Sequence, residues 1–158
     1  MTPKKKMMTQ RGYQQLAGEY DRLFRVDRPR VVQGVADAAA EGDRSENAEY
    51  IYGKKRLREI DKRLQYLASL LKDVTVVDPS TLTGDVVCFG ATVCVVDEDG
   101  REKTWMLVGE GEADATQGTI TWTAPMASAL MGKRVGDIVT VYRPAGEIEI
   151  EILSITFA

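Results

Sequence analysis

From Tyr50 to Leu71 the apolar residues advance by threes and fours: Tyr50, Gly53, Leu57, Ile60, Leu64, Leu67 and Leu71. This is the a/d spacing of a coiled-coil seam, and only Gly53 breaks its apolar character. A stripe of this kind has to be covered by another, and the upstream chain offers one. Tyr13, Leu16, Tyr20 and Leu23 recur at helical spacing, and Val31, Val35 and Ala38 extend the face beyond Pro29. Proline suits a first helical turn, so Pro29 predicts a kink or a restart within that arm. The intervening Glu41-Gly42-Asp43-Arg44-Ser45 is short enough to join antiparallel neighbours. The economical reading is a hairpin of two long helices, the second running roughly 35 Å from Tyr50 to Asp73 at 1.5 Å per residue. The stripes alone would equally suit an ordinary bundle or a dimerising coiled coil, because heptads this short do not specify pairing within one chain.

Past Asp78-Pro79-Ser80 the period shortens to that of strands. Val86–Phe89, Thr92–Val96, Lys103–Val108, Thr119–Thr123, Ile138–Tyr142 and Glu147–Ile155 read as strands. Asp97-Glu98-Asp99-Gly100 and Pro144-Ala145-Gly146 read as turns, and Ala127–Met131 as a short helix. The fold class expected is therefore α+β: an N-terminal antiparallel helical hairpin over residues 1–77, then a small antiparallel sheet domain with one short helix over 78–158. Cys88 and Cys94, the only cysteines, lie in apolar strand-like sequence and read as reduced core residues.

Charge divides the chain at the same place. Residues 1–77 carry 16 Lys+Arg against 11 Asp+Glu, and residues 78–158 carry 5 against 13. A basic half suits a nucleic acid or an acidic protein surface, and the acidic half suits a different partner surface; two solvated faces would look the same. The absence of histidine excludes histidine general bases and histidine-containing zinc sites. The second half shows no phosphate loop, nucleophile motif or paired-ligand spacing. The basic N-terminus is followed by no apolar leader segment, and no stretch is long enough to span a bilayer, so a cytoplasmic location is expected.

The chemistry concentrates in Gly42-Asp43-Arg44-Ser45-Glu46-Asn47-Ala48-Glu49-Tyr50. Asp43 and Glu46 are three residues apart at a helix start. That spacing can bring two carboxylates to one end of the hairpin, but on physical grounds alone it favours an N-cap Asp with an N3 Glu over a metal site. Two carboxylates are too few to hold Mg²⁺ tightly, since that ion keeps waters and takes phosphate oxygens.

This stretch, continuing through Lys54-Lys55-Arg56-Leu57-Arg58-Glu59-Ile60-Asp61, resembles the signature of the Gre transcript-elongation factors, and most of all their GreB type. Thr9-Gln10-Arg11-Gly12-Tyr13, Arg28-Pro29, Gly132-Lys133-Arg134-Val135-Gly136-Asp137 and Pro144-Ala145-Gly146 extend the resemblance over nearly the whole chain. It implies a coiled-coil hairpin followed by an FKBP-like domain, acting as a monomer on bacterial RNA polymerase. The hairpin would enter the secondary channel of a backtracked enzyme. Asp43 and Glu46, supported by Ser45 and Asn47, would there share a transient Mg²⁺ with the polymerase active site and stimulate cleavage of the extruded RNA 3′ end. No tightly bound cofactor of its own is implied. Arg44, Lys54, Lys55, Arg56 and Arg58 are candidates for contact with that RNA, or else form a solvated outer face. A relative that occupies the channel without supporting cleavage is the alternative. Ala124, Pro125 and Met126 fall where the family docks on polymerase. The chain departs from the family at Ile51 and Gly53, where polar residues are usual, and at Ala124, where serine is. Gly53 costs about 1 kcal/mol in helix propensity against alanine, which predicts a looser tip end.

Overall fold

A computed structural model describes residues 6–42 and 47–157. The described residues form two compact units. One is Gln14–Lys72; the other combines the described residues through Tyr13 with those from Asp73 onward. No described helix is long and apolar enough to cross a membrane.

The first helical arm is α1 (Gln10–Arg22), a π-helical turn (Leu23–Asp27) and α2 (Arg28–Ala39). Asp27 and Arg28 both keep right-handed helical angles, so the arm continues through the junction. The Arg28 N–H reaches back five residues to the Leu23 carbonyl. Pro29 explains the widened turn: it has no N–H to give and its ring crowds the turn before it, so the arm loosens there. The second arm, α3 (Ala48–Leu71), is about 36 Å long at 1.5 Å per residue.

Within this hairpin Leu16, Leu23, Ala38, Ile60, Leu64, Leu67 and Leu70 are buried. Tyr50, Gly53 and Leu57, toward the tip, are only half-buried, since two helices alone cover each other partially. Tyr13, expected in the seam, is exposed, and Leu70 is more buried than Leu71. Glu19 accepts from Arg63 (2.6 and 2.9 Å), and Asp61 accepts from Arg28 Nε at 2.7 Å, tying both parts of the first arm to α3.

The other unit holds two sheets. β1 (Met7–Thr9) pairs in parallel with β2 (Thr75–Val77), a pairing the sequence reading missed. These strands flank the hairpin in sequence, so the unit draws on both sides of the expected boundary after residue 77. The larger sheet comprises β3 (Thr92–Asp97), β4 (Glu102–Val108), β5 (Thr119–Thr121), β6 (Ile138–Val141) and β7 (Ile148–Thr156) in the order β5-β4-β3-β7-β6. It is antiparallel except where β4 and β5 run parallel, and β7 bulges where its register shifts opposite Cys94 and Val95. Val93, Val95, Leu107, Val141, Ile150 and Ile152 form its core face, packed with Ala127 and Leu130 of α4 (Pro125–Leu130).

Val86–Phe89 is not a strand. Val86 makes one isolated bridge to Arg134, and the chain turns at Gly90, whose φ of +87° favours glycine. Its apolar character comes from burial: Val87, Phe89 and Ala91 are core residues in a loop. Cys88 and Cys94 are free thiols but half-buried rather than core, and burial pushes the Cys88 thiol above its ordinary value.

Candidate functional site at the hairpin tip

The tip is built by the ends of α2 and α3. α2 ends at Ala39, and Gly42 carries a φ of +129°, a backbone conformation that side chains disfavour. α3 begins at Ala48, and its N-cap is Asn47. The Asn47 Oδ1 accepts from the Tyr50 N–H at 3.1 Å, while its Nδ2 donates to the Ala38 carbonyl at 2.7 Å. One side chain thus satisfies an orphan donor of α3 and ties α3 to the end of α2. Glu49 lies in the first turn of α3, where an acid suits the helix dipole.

This corrects one expectation: the cap offered to Asp43, with Glu46 at N3, belongs to Asn47. Asp43, Arg44, Ser45 and Glu46 themselves lie outside the described residues. Asn47, expected only as a supporting residue, is the structural fastener of the tip. The signal was present as an N-capping residue immediately before Ala48-Glu49-Tyr50.

Gly53 also reads differently in three dimensions. A Cβ on Gly53 would lie 2.7 Å from Val35 Cγ2. The glycine that breaks the heptad lets the arms approach closely near the tip, so it marks tight packing and not looseness.

Among the basic candidates, Lys54, Lys55 and Arg58 are exposed and Arg56 is half-buried. Lys54 Nζ stands 6.0 Å from the Tyr50 ring centroid, and Arg56 pairs with Glu59 at 3.7 Å. Beside them Tyr52 is 71% exposed and Ile51 53%. The other candidate patch is less open. Ala124 is the N-cap of α4 but has no side chain to cap with, Pro125 is exposed, and Met126 packs against the sheet core. Met126 also lines a groove of about 390 Å³ with Trp105, Arg143 and Ile148. No group of three or more carboxylate or cysteine side chains among the described residues is placed to hold a metal.

Two family profiles divide the chain between them. Residues 6–76 match the N-terminal domain of transcription elongation factors, and residues 82–157 match the C-terminal domain of GreA/GreB. The chain belongs to the GreA/GreB family of transcription elongation factors. It is 45% identical over 157 residues to transcription elongation factor GreB of Neisseria meningitidis serogroup B (strain ATCC BAA-335 / MC58), covering 99% of this chain and 96% of that one. Against GreB of Yersinia pestis it is 47% identical over 154 residues, covering 98% and 90%. Against GreA of Alkalilimnicola ehrlichii (strain ATCC BAA-1101 / DSM 17681 / MLHE-1) it is 42% identical over 153 residues, covering 96% and 97%. Membership in the Gre family assigns this chain to transcription elongation and so to work with RNA polymerase.

Proposed function

We propose that this Gre factor stimulates RNA polymerase to cleave its own backtracked transcript. The hairpin enters the secondary channel, and Asp43 and Glu46 supply carboxylates there, with Ser45 and Asn47 supporting them. The observation that carries this reading is the Asn47 fastener. With α3 capped and tied to α2 by Asn47, the connection between Gly42 and Asn47 holds two acidic residues that the helix does not need as caps.

The donor set fits a shared ion. Two carboxylates form a weak site on their own, and become sufficient when a polymerase centre and RNA phosphate contribute the remaining oxygens. A bound Mg²⁺ pair supplies charge stabilisation to the attacking and leaving oxygens of a phosphodiester. The contribution of this chain is to carry two acids at the end of a stiff hairpin whose arms are tied at the tip. Lys54, Lys55 and Arg58, with Arg44 and Arg56, attract the extruded RNA backbone. Ala124, Pro125 and Met126 contribute to docking on polymerase, Pro125 being the accessible one of the three.

The test is direct. Added to polymerase complexes stalled in a backtracked state, the protein should shorten the RNA from its 3′ end and restore elongation. Binding without any shortening would overturn the cleavage reading. Alanine at Lys54, Lys55 and Arg58 together should weaken crosslinking to the extruded RNA with little change in folding, because surface changes are usually small in stability. Unchanged crosslinking would make these residues a solvated face.

A further inference from the structure

The helix that starts the hairpin has an incomplete cap in its own sequence, and a residue more than a hundred positions away completes it. Thr9 precedes α1, and its Oγ1 accepts from the Gly12 N–H at 3.1 Å. In a local capping box the third helical residue would be Glu or Gln, reaching back to the N–H of the cap residue. Here that position is Gly12, with no side chain to reach. The Glu112 carboxylate takes the role: Oε2 accepts from the Thr9 N–H at 2.9 Å and the Gly109 N–H at 2.7 Å, and Oε1 accepts from the Thr9 hydroxyl. Gly12 is what makes room, since a Cβ there would lie 1.9 Å from Glu112 Oε1. Gly109 has a related constraint, because its Cβ would lie 2.2 Å from the Met7 carbonyl. Thr9 itself is 4% exposed, so its groups depend on these partners.

We propose that Glu112 is a positioning residue for stimulated cleavage. It fixes the first turn of α1, the helix that continues into the first arm of the hairpin, and so keeps the start of that arm helical. This rests on the cleavage reading above. Its predicted signature is loss of the saturating rate rather than of polymerase affinity.

The experiment compares Glu112→Ala, Glu112→Gln, Gly12→Ala and the Gly12→Ala/Glu112→Ala double variant of the full chain. Glutamine can keep both backbone contacts through its amide oxygen and reverse the third, its Nε2 donating to Thr9 Oγ1 where the Thr9 hydroxyl now donates to the carboxylate. Glu112→Ala should lower the cleavage rate at saturating factor about fivefold to tenfold, with the half-saturating concentration within about twofold of wild type. Glu112→Gln should stay within about twofold in both. Gly12→Ala, although alanine favours a helix, should behave as Glu112→Ala because it evicts the carboxylate, and the double variant should be no worse than either. Hydrogen exchange at the Gly12 and Tyr13 amides should accelerate at least about tenfold in Glu112→Ala, Gly12→Ala and the double variant, and stay near wild type in Glu112→Gln. If Glu112→Ala does not fold, Glu112→Gln against Gly12→Ala carries the comparison. A saturating rate unchanged in Gly12→Ala and Glu112→Ala, or additive losses in the double variant, would overturn the proposal. If the wild type stimulates no cleavage the functional reading falls separately, and unchanged exchange at Gly12 would then overturn the shared cap itself.

Discussion

At the scale of single residues, Asn47 is the test of how the tip is built. Asn47→Ala removes both of its hydrogen bonds and should cost about 1 kcal/mol as a lost cap, with a further cost at the Ala38 carbonyl. Asn47→Asp keeps the acceptor for Tyr50 but has no donor for Ala38, and should fall between alanine and wild type in urea unfolding. An Asp variant as unstable as the Ala variant would contradict the cap. Ala124→Ser supplies the side-chain oxygen that α4 lacks and should stabilise by about 1 kcal/mol. Asp43 and Glu46 stand out in the sequence because they sit in a long family signature. The true cap was harder to read, because Asp43, Ser45 and Asn47 are all good capping residues and sequence spacing does not choose among them. Glu112 was invisible for a different reason: its partners Thr9 and Gly12 are joined to it only by the fold.

At the scale of elements, Gly53 gives a sign-reversing test. Gly53→Ala gains about 1 kcal/mol of helix propensity, yet its Cβ would stand 2.7 Å from Val35 Cγ2. The substitution should destabilise the wild-type hairpin and stabilise the Val35→Ala variant, as read by thermal melts; stabilisation in both backgrounds would remove the close approach. The hairpin should also lose stability in acid. Hydrogen bonds from Arg63 and Arg28 hold the Glu19 and Asp61 carboxyls below their ordinary values. Groups depressed in this way contribute fully above the unfolded carboxylate range, near about pH 4, and lose that contribution as pH falls through the lowered values. Both pairs are largely exposed, so the effect should be small and fade in salt. The Arg63→Met and Arg28→Met double variant should show a shallower decline of melting temperature below about pH 4 than wild type. An equal slope would remove these pairs from the account. The helical arms were legible because a 3-4 period is long and regular, whereas β1 and β2 were not: three-residue strands have no period, and their parallel pairing joins residues 68 positions apart. Val86–Phe89 misled because burial and strand formation leave the same short apolar run.

At the scale of the whole molecule, the sheet unit draws on both sides of the hairpin in sequence. A fragment of residues 78–158 omits both β1 and β2 and the Thr9 partner of Glu112. It should therefore unfold at lower urea than a chain in which residues 14–72 are replaced by a short linker, and equal stability would make the β1–β2 sheet dispensable. The division of labour still holds as an expectation: the acids lie on the hairpin sequence, so neither hairpin-less chain should stimulate cleavage. The measurement that bears most directly on the central claim is transcript cleavage by the Asp43→Asn/Glu46→Gln double variant on backtracked complexes, at low and at raised Mg²⁺. Because Asn47 caps α3, the variant should melt like wild type and still bind polymerase. Cleavage should fall by at least about a hundredfold, roughly the 2.7 kcal/mol expected for loss of a transition-state charge partner, and recover in part as Mg²⁺ is raised. Wild-type cleavage rates from the double variant at low Mg²⁺ would contradict the claim that this chain donates carboxylates to the polymerase active site.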